Sequence, residues 1–381
     1  MNYFGLNHKR NNISRDSLLL EIYTMNLPLY DLTLIVPTFN RQSFALRNMR
    51  YWSGRDIVMH VMDGTKLGLT PLQLAQLDDN IHYHHMPELS IGERLNEAID
   101  LIETPYVTFL SDDEFFIPSA LSSCISQLKA DDELVSCMGL SIQFEYKNGN
   151  VIGRRFYQSL ENYSLLQTDA LERMLAHMDP YVMSSMNSVV RSVVWKRSMR
   201  LLCIGDLSTF NIGELLFELA VCFQGKTKVI SEIMWLRSYE NKIIIDHAKT
   251  KSFFIWWRSD DKSEDRSKLL SCISSILTKT SNEREMVKSF MLLALNRYVN
   301  TYDKIIIGKD FFNDIIVKIW LLIPNNIKNI LRLVLKPFIK FNTTNLILLV
   351  AKEWSHEGVK TNFIELCEIE KVIQYFYKVE K

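Results

Sequence analysis

Between residues 31 and 110 the chain alternates short apolar runs with longer segments whose apolar residues recur at helical spacing. Leu32-Thr33-Leu34-Ile35-Val36, stopped by Pro37, is a continuous β-rich run, the pattern of a strand covered on both faces. Phe44–Trp52 predicts a helix, Ile57–Met62 a second strand ending at Asp63-Gly64, Leu72–Leu77 a short helix and Ile81–His85 a third strand. Ile91–Ile102 places apolar residues at 91, 95, 98, 99 and 102, one face of a helix. Tyr106–Leu110 predicts a fourth strand that runs into Asp112-Asp113-Glu114. Strand–helix units of about 25 residues predict an α/β domain with a mainly parallel sheet flanked by helices.

In such sheets, ligands bind beyond the carboxyl ends of the strands. The polar residues gather there: Thr38, Asn40 and Arg41 after the first strand, Asp63 after the second, Asp112 and Asp113 after the fourth. Beyond 150 the pattern loosens. Ser184–Val194 reads as a strand and turn, and Ile212–Gln224 as an apolar helix with Glu214 and Glu218 one turn apart. From about 241 the chain reads as helices. The expected organisation is a leader with one helix (1–30), an α/β domain (31–240) and a helical C-terminal region (241–381).

Composition narrows the function. The 381 residues hold 44 Lys+Arg against 44 Asp+Glu, which argues against a dedicated nucleic-acid binder. The balance conceals two halves: residues 1–240 carry 21 basic and 28 acidic side chains, residues 241–381 carry 23 and 16. The six cysteines are dispersed, the usage of reduced thiols in a cytosolic protein. No basic flank leads into a long apolar run at the N-terminus, so no secretory signal is expected. No apolar run is long enough to span a bilayer.

Adjacent carboxylates repel, and a divalent cation bound through oxygen removes that cost. Asp112 and Asp113 therefore suit Mg2+ or Mn2+, which would leave positions for phosphate oxygens. They equally suit a simple cap for the helix that Pro118 starts. His82, His84 and His85 read as structural rather than as metal ligands.

Six segments, in order, resemble the family-2 glycosyltransferases of GT-A fold found in bacterial surface-polysaccharide synthesis. They are Leu34–Arg41, Val61–Gly64, Gly92–Asn96, Phe109–Glu114, Asn187–Val194 and Gly205–Glu218. The resemblance implies that Pro37, Thr38, Asn40, Arg41, Asp63, Arg94 and Asp112 bind a nucleotide-sugar. It implies that Asp113 and Asp112 hold a divalent cation, and that Glu214, or alternatively Glu218, is the catalytic base of an inverting transfer. Two positions depart from the family pattern, with Leu110 and Leu215 standing where Asp is common. They keep open a catalytically silent scaffold or glycan-binding subunit. A nucleotidyltransferase is a further alternative, disfavoured because Pro37-Thr38-Phe39-Asn40 replaces a Gly-rich loop.

Lys328, Arg332, Lys336 and Lys340 recur every fourth residue among apolar neighbours. The stretch 311–340 is expected either to lie on the anionic inner face of the cytoplasmic membrane, near a lipid-linked acceptor, or to pack as a bundle or against a second copy.

Overall fold

The computed structural model describes residues 29–202, 210–240, 253–322 and 344–380, with side chains left undescribed at 202, 210–212, 302–322 and 380. Of the expected leader 1–30, residues 1–28 lie outside the described residues, as do residues 323–340 of the cationic stretch 311–340.

The chain builds a mixed sheet whose centre is parallel. Strand β1 (Leu32–Thr38) is buried along its whole length and lies between β2 (Val58–Asp63) and β4 (Tyr106–Phe109), parallel to both. β3 (Ile81–His85) adds in parallel at the edge beside β2. On the other side the sheet turns antiparallel through β9 (Val189–Arg191) to β6 (Leu134–Lys147) and β7 (Asn150–Phe156). The β6–β7 hairpin closes on Asn148 and Gly149, both at positive φ (52° and 82°), as a tight two-residue hairpin requires. A long strand, β10 (Lys226–Ser238), runs parallel to β6 and antiparallel to β5 (Phe115–Phe116) and β8 (Ser164–Leu165).

Both faces are covered, as the continuous apolar strands require. Helices α1 (Gln42–Trp52) and α3 (Pro118–Ala130) pack on one face, α2 (Ile91–Leu101) and α5 (Ser192–Leu202) on the other. α6 (Phe210–Gln224) sits between two cores: Phe217 and Val221 face the sheet, whereas Leu215, Leu216 and Leu219 face α4 (Ala170–His177), α7 (Ser263–Leu277) and α8 (Ser281–Leu322).

Three expectations are corrected. The helix expected at 72–77 is a single turn, Pro71–Leu74, capped by Thr70. The strand expected across 184–194 is confined to β9, because Ser192 ties its amide to the Pro105 carbonyl and its hydroxyl to the Thr104 carbonyl, and the helix starts there. The C-terminal region is also not wholly helical. Asn345–Leu346 forms β11 beside β7, and α9 (Ile347–His356) and α10 (Phe363–Tyr375) then bury Ile347, Trp354, Leu366 and Ile373 in the core beside α1 and α3.

No described helix is long and apolar enough to cross a membrane.

Candidate active site

A cleft of about 330 Å³ opens beyond the carboxyl ends of β1 and β4. One wall is the turn after β1, with Pro37, Thr38, Phe39 and Arg41; Ser111 and Glu114 bring the acidic turn to it. The opposite wall comes from elements distant in sequence: Met183, Met186 and Asn187 before β9, Glu214 on α6, Tyr157 after β7, and Trp235 and Arg237 on β10.

The acidic turn is tied to the β1 turn. Asp112, fully buried, accepts the Thr38 hydroxyl at Oδ2 (2.7 Å), and its Oδ1 lies 2.7 Å from Arg41 Nη2 in an ion pair outside hydrogen-bonding geometry. Arg41 Nη1 reaches Asp113 Oδ2 at 3.5 Å. Burial pushes the Asp112 carboxyl up, with Arg41 opposing and Asp113 adding to the shift. Glu114 is raised to about 8, first by burial and then by Asp113; its Oε2 accepts Trp235 Nε1 at 2.8 Å. Leu110 is fully buried in the apolar core.

Among the described residues no cluster of three or more His, Cys, Asp or Glu side chains could hold a metal. A cation at Asp113 and Asp112 would thus take one or two protein oxygens and complete its shell from phosphate and water, a mode that suits Mg2+ and Mn2+. Asp112 Oδ1, buried and without a hydrogen-bond partner, is the oxygen that could serve that mode, while neither Asp112 nor Asp113 itself lines the cleft.

Two expected donor-site residues are engaged in framework contacts and do not line the cleft. Asp63 accepts Gln42 Nε2 (2.6 Å), the Tyr83 hydroxyl (2.5 Å) and the Thr65 amide (2.7 Å), and stands behind the cleft wall. Asn40, at φ 56°, donates its amide to Thr65 Oγ1 (2.9 Å) and is also outside the lining. Arg94 does line the cleft, yet its Nη1 is spent on the carbonyls of Thr38 (2.7 Å) and Met62 (2.5 Å), clamping the ends of β1 and β2 together. Gly64 leaves room for this clamp, since a Cβ there would lie 2.6 Å from Arg94 Cζ.

The two candidate bases separate cleanly. Glu214 lines the cleft and accepts the Tyr181 hydroxyl at 3.1 Å. Burial holds it at about 7, with the Glu218 charge adding and Tyr181 and Arg237 opposing. Glu218 is fully buried and does not line the cleft. It accepts the amides of Ser184 (3.3 Å), Ser185 (2.8 Å) and Met186 (2.7 Å), and lies 3.2 Å from His177 Nε2. Its work is to hold the 184–186 loop that carries Met183, Met186 and Asn187 to the cleft. Leu215 is spent on the helical core.

Of the far wall, Tyr157, Trp235 and Arg237 were not anticipated from the sequence. Tyr157, held at φ 47°, stacks on Trp235 (centroids 5.7 Å apart), and Arg237 lies over Phe156 (4.7 Å) and Tyr157 (5.6 Å). A non-glycine residue at positive φ is a strained position of the kind that clusters at functional sites. The β-branched and apolar run from Thr227 to Leu236 was the signal that could have found β10 and its two cleft residues. The histidines form a separate cluster on the sheet, with His60 Nδ1 3.0 Å from His84 Nε2 and His82 stacked on His60.

Residues 33–198 match the family described as Glycosyl transferase family 2. No curated protein matches the chain. Among solved structures, TarS 1–349 of S. aureus in complex with UDP-GlcNAc is similar over 71% of this chain and 72% of its own, with 16% identity and a TM-score of 0.46. TarS 1–349 alone gives 13% identity over the same shares, with a TM-score of 0.43. Glucosyl-3-phosphoglycerate synthase from Mycobacterium tuberculosis, in complex with Mn2+, UDP and glucosyl-3-phosphoglycerate, is similar over 52% of this chain and 68% of its own, at 10% identity and a TM-score of 0.30.

Proposed function

We propose, from the premise that residues 33–198 are a family-2 glycosyl transferase domain, that this glycosyltransferase inverts the sugar it transfers and uses Glu214 as its base. The observation that carries the reading is the placement of Glu214. It stands on the cleft wall opposite the acidic turn, with a carboxyl held at about 7. Near neutrality such a group is partly ionised and can accept a proton from an attacking hydroxyl.

The donor in this reading is a nucleotide-sugar, its diphosphate placed against Thr38, Arg41 and the Asp112–Asp113 turn. A divalent cation, Mg2+ or Mn2+, bound at Asp113 and Asp112 would neutralise the charge that develops on the departing diphosphate. The remaining work belongs to the chain. Arg41 adds a fixed positive charge beside the phosphates, Arg94 holds the β1 and β2 ends in register, and Trp235 with Tyr157 excludes water from the far wall. The acceptor hydroxyl enters between Asn187 and Glu214, loses its proton to Glu214 and attacks the anomeric carbon from the face opposite the leaving group.

The acceptor class we assign is a glycan or a lipid-linked glycan, in assembly of a surface polysaccharide. The test is Glu214→Gln, assayed for donor binding and for transfer on the same preparation. Retained binding with lost transfer supports the reading; transfer at the wild-type rate removes Glu214 from the mechanism.

A further inference from the structure

The acidic turn is braced from behind by a part of the chain far outside the donor-binding segments. Two consecutive buried residues of α1 hold its backbone: Arg47 Nη2 donates to the Asp113 carbonyl (2.9 Å), and Asn48 Nδ2 to the Glu114 carbonyl (2.7 Å). Arg47 also meets Glu240 Oε2 at 2.9 Å, a fully buried carboxylate, and its guanidinium lies within 5.0 Å of the Phe44 ring, 5.1 Å of Phe115 and 4.8 Å of Phe376. A buried cation with a single carboxylate partner depends on such ring faces for its remaining stabilisation.

Phe376 comes from the other end of the chain. It is 1% exposed and packs on Phe44 at 5.1 Å, while its neighbour Tyr377 stacks flat on Tyr146 of β6 at 4.3 Å. The preceding helix α10 is pinned twice more beside the acidic turn. Glu365 Oε2 accepts both the amide (3.0 Å) and the hydroxyl (2.7 Å) of Ser119, in the first turn of the helix that follows Glu114, and Glu368 pairs with Arg55 at 3.2 Å. The cage around Arg47 is closed only when residues 363–380 are in place.

We infer that the C-terminal segment 363–380 is a working part of the donor site, and that Arg47, caged by Phe376, is a positioning residue for the Asp113 backbone. Arg47 Nη2 alone donates to both the Asp113 carbonyl and Glu240 Oε2, which ties the Asp113 peptide to a buried carboxylate and so constrains how the Asp113 side chain is presented. The functional consequence rests on the proposal that Asp113 serves the cation and the nucleotide.

The test uses the full-length chain with Arg47→Lys, which keeps the charge and loses the planar group that lies against the three rings, and Phe376→Leu, which keeps apolar volume and loses the ring face. Val379→Ala, at a residue 63% exposed in the same final turn, is the control. Hydrogen–deuterium exchange is followed over residues 109–117 and, for comparison, over 58–63. Mn2+ binding is titrated with UDP, GDP, CDP and dTDP. The inference expects both variants to melt cooperatively, to exchange faster at 109–117 with 58–63 unchanged, and to bind Mn2+–nucleotide about tenfold more weakly, the low end for a group one step removed from a metal ligand. Folded variants that exchange at 109–117 like the wild type overturn it. Asp113→Asn is run alongside: if it binds Mn2+–nucleotide like the wild type, the Asp113 assignment fails, while the exchange data still judge the brace.

Discussion

Glu214 and Glu218, one turn apart on α6, meet opposite environments: Glu214 accepts the Tyr181 hydroxyl on the cleft wall, and Glu218 is sealed beneath it by three backbone amides and His177. The same residue type on the same helix thus supplies a cleft-lining carboxyl, the proposed base, and a structural anchor. The buried charge of the second also raises the first.

That relationship sets a pH dependence. Transfer needs Glu214 ionised, so kcat/KM should rise through about pH 7 and level off above it. Tyr181 lowers the Glu214 pKa by hydrogen bonding to the charged form, so Tyr181→Phe should move the limb to higher pH. A pH–rate profile of both proteins checks it; a limb that stays put removes Tyr181 as a tuning group.

Glu218→Ala should act mainly on stability. It strands three buried amides and the His177 partner, a loss of about 3 kcal/mol for breaking a buried pair, read by urea unfolding. Glu218→Gln should weaken acceptor binding yet leave measurable turnover, unlike Glu214→Gln. Complete loss of turnover in folded Glu218→Gln would reverse the assignment of the two carboxylates.

Gly64→Ala should damage the site from a distance. The added Cβ would press on a guanidinium that is held by two carbonyls and has nowhere to move. Such overpacking costs about 1–3 kcal/mol and should raise the donor KM by displacing the Thr38 turn. An unchanged melting temperature and KM would contradict the clamp.

Asp113→Asn should weaken Mn2+-dependent nucleotide binding while leaving the fold intact. Asp112→Asn should do more, since Asp112 also ties Thr38 and Arg41 to the acidic turn. Calorimetric titration of nucleoside diphosphate with and without Mn2+ separates the two effects.

The sequence made the parallel core legible because β1, β2 and β4 are short, largely apolar runs bounded by turn residues, and a one-face helix such as Ile91–Leu101 admits one reading. It also marked the near wall of the cleft, where Pro37, Thr38, Arg41 and the acidic turn are neighbours of strand ends. The aromatic part of the far wall was hidden by distance along the chain. Tyr157, Trp235 and Arg237 meet Glu214 only through the long pairing of β6 with β7 and β10, which carries no local motif. The roles of Asp63 and Glu218 were equally invisible, because a carboxylate that serves a ligand and one that serves backbone amides look alike until their partners are placed. The return of α10 to the acidic turn depends on Glu365 meeting Ser119, 246 residues away.

The central claim, that Glu214 is the base for glycosyl transfer, is tested most directly in one experiment. A nucleotide-sugar that stabilises the protein with Mn2+ is first found by thermal shift. Transfer by wild type and Glu214→Gln is then measured at saturating donor. The account predicts donor binding within about twofold of wild type and a transfer rate lower by roughly two to four decades, the usual contribution of a general base; a variant that transfers at the wild-type rate contradicts it.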